Sequence, residues 1–341
     1  MRGWPRGLFS TALGFVVLAA AVGCTGGGAG GDADAAPGDG MSPKARTYLT
    51  SALDVMEKHS LVTKDVDWPK LRQDAFAEAR KAQTPSETYQ AIRHAVRDLN
   101  DGHSTFYDPE QADESLNAPA EDLMLPEGRR LAGGIAHLTL PSEPSDGVAA
   151  PYVRSARSTV AGLDGQGVCG WIIDLRSNHG GDMWGPLAAV GSVLGDGTVG
   201  NAVYADGRKS PWTLTKGTPR QYLDTWGPAK PLTRPAPPVA VLTSRRTVSA
   251  GEAVTIAFRG RPDTRTFGEA TTGHPTANVS YEQSDGALVI LTVAREADRT
   301  GRTYDGPIEP DVEIPEALGH NRARTEAAAW LRKQKACRGG S

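Results

Sequence analysis

Thr247-Val248-Ser249-Ala250-Gly251-Glu252 lies between two unlike runs. Before it, Pro238-Val239-Ala240-Val241-Leu242-Thr243 is apolar and reads as a buried strand. After it, Ala250 to Phe258 reads as a helix. A strand that turns directly into a helix sets Ser249 at the helix N-terminus. There the first N–H groups lack intrahelical partners and the dipole favours negative charge. An attacking Ser oxygen and the oxyanion it creates can both be stabilised at such a turn. Six residues fit an ordinary Ser N-cap equally well, so the flanking chain has to decide.

Gly170-Trp171-Ile172-Ile173-Asp174-Leu175 is a second near-continuous apolar strand, of the kind found in a sheet covered on both faces. It ends at Arg176 to Asp182, where Gly180 and Gly181 can turn backbone N–H groups outward, and a helix follows from Met183 to about Leu194. Gly134 to Leu140 alternates with period two and reads as a strand; Ala149 to Leu163 reads as a helix. Asn201 to Leu214 reads as a hairpin turning at Asp206-Gly207, and Lys216 to Pro237 as a Pro-rich crossing loop. Thr266 to Glu269 is a short strand, Asn278 to Ala294 a hairpin around Asp285-Gly286, and Thr325 to Ala336 a terminal helix. Strands alternating with helices give a mixed α/β (α+β) class. The core spans 131–317 and a C-terminal helix and tail span 318–341.

Residues 42–109 read as an N-terminal helical subdomain. Pro43 to His59 and Trp68 to Lys81 carry helical patterns, and Thr84-Pro85-Ser86-Glu87 reads as a capping box opening a third helix. That helix ends in Asp101-Gly102-His103-Ser104, with Pro109 expected to stop it resuming. His103 is thereby presented on a turn. Residues 110–130 read as an irregular linker, a loop over the site.

At the N-terminus, Arg2 and Arg6 precede the apolar run Leu8 to Val22, which is short for a membrane span and of signal-peptide length. It closes on Gly23-Cys24. Residues 1–23 read as a lipoprotein-type signal peptide with lipid carried on Cys24, and 24–41 as a flexible tether. The expected location is extracytoplasmic, on the cell membrane through a lipid anchor. A formal net charge of −3 with 23% charged residues gives no reason to expect a nucleic-acid partner. The three Cys residues lie too far apart in sequence for a zinc knuckle, and neither metal nor cofactor is expected. Cys169 reads as a packed thiol at a strand start and Cys337 as part of a polar tail; an oxidising compartment allows them to pair.

Acyl transfer needs a nucleophile, a base and an oxyanion hole. Ser249 supplies the first. Ala250 with Gly180 or Gly181 supplies the last, and His103 and His274 are the two candidate bases on exposed turns. The ordered set Asp101-Gly102-His103-Ser104, Ile173 to Gly181, Thr247 to Glu252, Phe267 to Gly273 and Gly306 to Asp311 resembles the C-terminal-processing (tail-specific) serine proteases. One branch of that family carries a Lys where this chain has His274. The other, with the tricorn core and the nisin-resistance proteases, takes its base from a Gly-His-Ser-like turn, which Gly102-His103-Ser104 matches. The resemblance implies a serine peptidase acting on peptides or proteins, with Ser249 as nucleophile and His103 as base. It implies Ser104, Glu309 and His274 as possible supporting groups, and no PDZ domain, because the stretch after Pro109 is too short for one. Two other readings fit the same residues. One is a non-catalytic ligand- or peptide-binding module, as in the interphotoreceptor retinoid-binding proteins that resemble this family. The other is a Ser249–His274 enzyme.

Overall fold

The structure is a computed structural model; it describes residues 40–116, 123–143, 149–319 and 321–338. The signal peptide, Cys24 and nearly all of the tether lie outside the described residues. Among the described residues, no helix is long and apolar enough to cross a membrane. The chain opens with helices α1 (Pro43–His59), α2 (Trp68–Glu78) and α3 (Tyr89–Asp98). Ser42 caps α1 by accepting the Ala45 N–H at 3.2 Å, and Asp67 caps α2 by accepting Lys70 N–H at 3.1 Å. Strand β1 (Thr105–Tyr107) and helix α4 (Pro109–Leu116) follow, then β2 (Glu127–Leu131), β3 (Ile135–Thr139), α5 (Ala149–Asp164) and β4 (Gly170–Asp174). Next come α6 (Trp184–Ala189), α7 (Gly191–Leu194), β5 (Gly197–Tyr204), β6 (Lys209–Thr215), β7 (Thr218–Pro219) and α8 (Leu223–Trp226). The chain continues through β8 (Val239–Thr243), α9 (Ala250–Phe258) and β9 (Thr264–Gly268), and then β10 (Thr276–Glu282) and β11 (Leu288–Asp298). It closes with β12 (Thr303–Tyr304), β13 (Val312–Glu313) and α10 (Arg322–Arg332).

The strands form two sheets. The first runs β13-β9-β8-β4-β3-β2, parallel except for β2 at its edge. Every residue of β4 and β8 is buried, because α5, α6, α7 and α9 cover one face and α10 covers the other. The C-terminal ends of β4 and β8 are neighbours, so the turns that follow them meet above the sheet, where open α/β sheets hold their sites. The second sheet is antiparallel, β1-β11-β5-β6-β7, with β10 and β12 also on β11. Its β10–β11 hairpin shares one core with α1, α2 and α3 through residues such as Leu49, Leu53, Ile92, Leu291 and Val293. The helical segment is therefore built onto this sheet. Tyr48 and Tyr89 reinforce the join by donating to the two oxygens of Asp285 at 2.7 and 2.6 Å, pinning the hairpin turn to α1 and α3.

Several local readings change. Pro109 starts α4 rather than blocking a helix; its missing N–H is one that a first helical residue leaves unpaired anyway. Residues 110–130 accordingly hold most of α4 and β2 instead of an irregular loop. Thr84 makes no side-chain cap: a 3-10 turn over Pro85–Thr88 precedes α3, and Glu87 accepts the Gln83 N–H. The helix after Met183 is broken into α6 and α7 at Val190, and Met41, at the tether's end, is buried against the helical core.

Cys169 is not a free thiol. It pairs with Cys337 across 168 residues of chain, with Cα atoms 5.0 Å apart. The bridge holds the tail after α10 against the sheet beside Ile135 and Ile172. On the chain-entropy account a loop of this length stabilises by about 5 kcal/mol. We expect reductant to lower the urea midpoint of the native protein and to leave that of a Cys169→Ala/Cys337→Ala variant unchanged. Equal midpoints with and without reductant in the native protein contradict this.

Candidate active site

Ser249 sits between β8 and α9 with φ 51° and ψ −112°, a positive φ that a side-chain-bearing residue adopts only under constraint. The constraint is visible. Asn178, fully buried, donates through Nδ2 to the carbonyls of Leu140 and Pro141, and its own carbonyl accepts the Val248 N–H at 3.2 Å. Thr247 Oγ1 donates to Leu175 O at 2.9 Å, tying the two turns together again. α9 itself is buried at all nine positions, so its N-terminus is held from every side.

Glu252 completes the turn, and the sequence reading gave it no role. It occupies the third helical position, where a capping-box acid reaches back to the cap. One oxygen, Oε2, accepts both Ser249 N–H at 2.8 Å and His274 N–H at 2.9 Å. The other, Oε1, accepts Gly273 N–H at 2.8 Å and the Thr271 hydroxyl at 2.5 Å. The carboxylate is wholly buried. It binds the Ser249 turn to the 271–274 loop, so the backbone nitrogens of Ser249 and His274 lie within two hydrogen-bond lengths of one another. Behind it, buried Glu296 on β11 has its carboxyl pushed well up by burial and by the charge of Glu252.

That loop brings the two histidines together. The imidazoles of His103 and His274 stack with centroids 5.3 Å apart and planes 29° from parallel. His103 is half-buried, and its Nδ1 lies 2.7 Å from Thr276 Oγ1. Burial, aided by the neighbouring His274 and opposed by Asp101, lowers its pKa to about 4. Asp101 organises the turn: Oδ1 accepts His103 N–H and Ser104 N–H, and Oδ2 accepts the Ser104 hydroxyl at 2.6 Å. Ser104 Oγ also accepts Thr292 N–H at 2.9 Å, so it joins this turn to β11.

The remaining candidates separate. Gly180 adjoins Ser249 so closely that a Cβ there would lie 3.3 Å from Ser249 Cβ. Its N–H donates to Asn178 Oδ1 at 3.2 Å. Gly181 is exposed with φ 100°, and Ala250 is the first residue of α9. The side chain of Glu309 is exposed, and its carbonyl accepts from Arg259, the residue that ends α9; Ile308 beside it donates its N–H to Thr271 Oγ1 at 2.8 Å. His179 is exposed, and its backbone N–H donates to Ser142. Asp174 anchors Arg176 and His137 in the core; burial works to raise its pKa, and those two partners hold it well below the usual carboxylate range.

The sequence profile of peptidase family S41 matches residues 135–314, more than half of the chain. The chain belongs to peptidase family S41. Over 300 residues it is 25% identical to the nisin-resistance protein of Lactococcus lactis subsp. lactis, covering 86% of this chain and 89% of that one. It is 29% identical over 161 residues to the chloroplastic carboxyl-terminal-processing peptidase 2 of Arabidopsis thaliana, covering 45% of this chain and 29% of that one. Among solved structures, a lipoprotein from Streptococcus agalactiae superposes with a TM-score of 0.72 at 26% identity, over 85% of this chain and 97% of that chain. The photosystem II D1 C-terminal processing protease shares the fold, with a TM-score of 0.62 at 16% identity, over 87% and 99%. Membership in the S41 family makes the chain a peptidase, and its substrates peptides or proteins.

In an S41 peptidase the closeness of Gly180 to Ser249 has a measurable consequence. Alanine at Gly180, where φ is 99°, meets backbone strain of roughly 1–2 kcal/mol and presses a methyl on Ser249. Displacing a reacting atom by about 1 Å can cost about a hundredfold, and we expect kcat/KM for Gly180→Ala to fall by at least that. Gly207→Ala, at a positive φ with open space around it, is the control that carries the strain without the clash. Equal activity in the two variants contradicts the expectation.

Proposed function

We propose that the chain is an exported, lipid-anchored serine peptidase in which Ser249 attacks the scissile carbonyl and His103 takes its proton. The observation that carries this is the strained Ser249 turn, joined through Glu252 to the loop whose His274 stacks on His103. A positive φ at a polar residue between a buried strand and a buried helix is a costly arrangement that a mere N-cap does not require. In the proposed reaction the Ser249 Oγ–H bond breaks as the Oγ–carbon bond forms. The proton passes to His103 Nε2, and the carbonyl oxygen, now negative, takes the N–H groups of Gly181 and Ala250. The proton then goes to the leaving amine, and water repeats the sequence on the acyl-enzyme. Export and lipidation rest on the leader ending in Gly23-Cys24, and the similarity to a streptococcal lipoprotein supports them. A fluorophosphonate probe on purified protein, with the modified residue found by mass spectrometry, tests the chemistry: label on Ser249 is expected, and its absence from Ser249 in folded protein overturns the reading. Cys24→Ala is expected to move the protein out of the membrane fraction.

A further inference from the structure

A base that accepts the Ser249 proton must hold a lone pair on Nε2, so the hydrogen of neutral His103 has to reside on Nδ1. Nothing in the imidazole itself enforces this, since free histidine side chains favour the opposite tautomer. In the familiar triads a buried carboxylate fixes the tautomer. Here the two acids near enough in sequence or by resemblance are otherwise engaged. Asp101 spends its oxygens on the His103 and Ser104 N–H groups and the Ser104 hydroxyl, and the side chain of Glu309 is exposed. The group that does meet Nδ1 is a hydroxyl, Thr276 Oγ1 at 2.7 Å, from the first residue of β10 and 173 residues away in the chain.

The geometry points to Thr276 as the positioning residue of the proposed Ser249–His103 peptidase: its hydroxyl accepts Nδ1–H and leaves Nε2 as the base. This assignment rests on that functional reading. Thr276 is well placed to hold a ring still. It follows Pro275, its own N–H donates to His274 O at 2.8 Å, and the next carbonyl back, Pro275 O, accepts from Glu296 N–H at 3.0 Å. The ring it orients is also supported from one side by His274, and the backbone carbonyl of His103 accepts from Asn278 Nδ2 at 3.1 Å. A neutral hydroxyl fixes orientation and tautomer, and it adds no charge to favour the imidazolium. That agrees with a ring whose proton affinity is depressed by its burial.

The test compares Thr276→Val, which keeps the shape and loses the acceptor, with Thr276→Ser, which keeps the hydroxyl. Thr276→Val is expected to lower kcat about ten- to hundredfold with KM changed less than about twofold, well short of the roughly ten-thousandfold that an enforced wrong tautomer costs a Ser-His-Asp triad. Thr276→Ser is expected to restore most of the loss. Nitrogen-15 spectra of histidine-labelled protein give a readout independent of turnover: the His103 resonances should report Nδ1–H in the parent and shift toward Nε2–H in Thr276→Val. A parent His103 found as Nε2–H overturns the assignment. So does normal kcat in Thr276→Val while His103→Ala is inactive, and in that case the functional reading stands. Activity retained in His103→Ala sinks the functional reading, and with it the role given to Thr276.

Discussion

Ser249→Ala and His103→Ala should each lower peptide hydrolysis by roughly 10⁴- to 10⁶-fold, and the double variant should lose little more, because residues that act on one proton are not additive. The competing base is His274. Its imidazole stacks on that of His103, so proximity does not separate the two. Their surroundings do. His103 has its Nδ1 engaged, its backbone N–H held by Asp101 and its carbonyl held by Asn278, which fixes the ring for one task. His274 is held by its backbone, through Glu252. We therefore expect His274→Ala to retain measurable turnover and to change its pH dependence. In the parent, His103 titrates near 4, so kcat/KM should already be level by about pH 6. Removing His274 uncovers the ring and deletes a like charge, and both changes raise the His103 pKa toward its ordinary value of about 6.5. The acid limb should shift upward accordingly. An unshifted limb in His274→Ala, or activity lost there and kept in His103→Ala, reverses the assignment. The same shift has a stability sign. Between about pH 6.5 and 4 the unfolded chain takes up a proton at His103 that the folded chain refuses. The contribution of this site is thus complete above the unfolded value and falls away as pH drops through that window.

What could be read from the sequence was local. β4 and β8 announce themselves as apolar runs because both faces of that sheet are covered, and the turns after them carry Gly180, Gly181 and Ser249 in plain view. His103 on its turn is legible because Gly102, at φ 70°, permits the tight turn just before it. What stayed hidden depends on pairings across the chain. Thr276 meets His103 across 173 residues, and Cys337 meets Cys169 across 168. Neither local spacing nor periodicity carries such a contact. Pro109 shows a different limit: proline both ends and begins helices, and only the pairing of β1 with β11 shows which applies. Gly180 shows another. The turn it forms was recognised, while the direction of its N–H depended on Asn178 folding back beneath it.

Glu252 is the residue whose loss should reach furthest. An ionised carboxylate accepts and never donates, and all of the donors around this one point inward: three backbone N–H groups and the Thr271 hydroxyl. Leucine at this position leaves all four without a partner in a buried site. At about 1–3 kcal/mol for each orphaned group, the sum approaches the whole stability of a typical domain, so Glu252→Leu is not expected to fold. Glutamine is the informative change. Its NH₂ must take the place of Oε1 or Oε2. At Oε2 it would confront two N–H groups, Ser249 and His274, that cannot accept. At Oε1 it meets one such group, Gly273, and a Thr271 hydroxyl that can rotate to accept. The second orientation is favoured: the one backbone donor it orphans is Gly273 N–H, and the Thr271 hydroxyl turns its hydrogen away from the site. Glu252→Gln should therefore fold, with unfolding free energy lower by about 1–3 kcal/mol in urea titration. It keeps the bonds to Ser249 and His274 but frees the Gly273 end of the loop that carries His274 toward His103. Positioning errors of this kind can cost about a hundredfold, and we expect kcat to fall by that order at a temperature where the variant is fully folded. Parental stability together with parental kcat would mean that the four bonds do not hold the site.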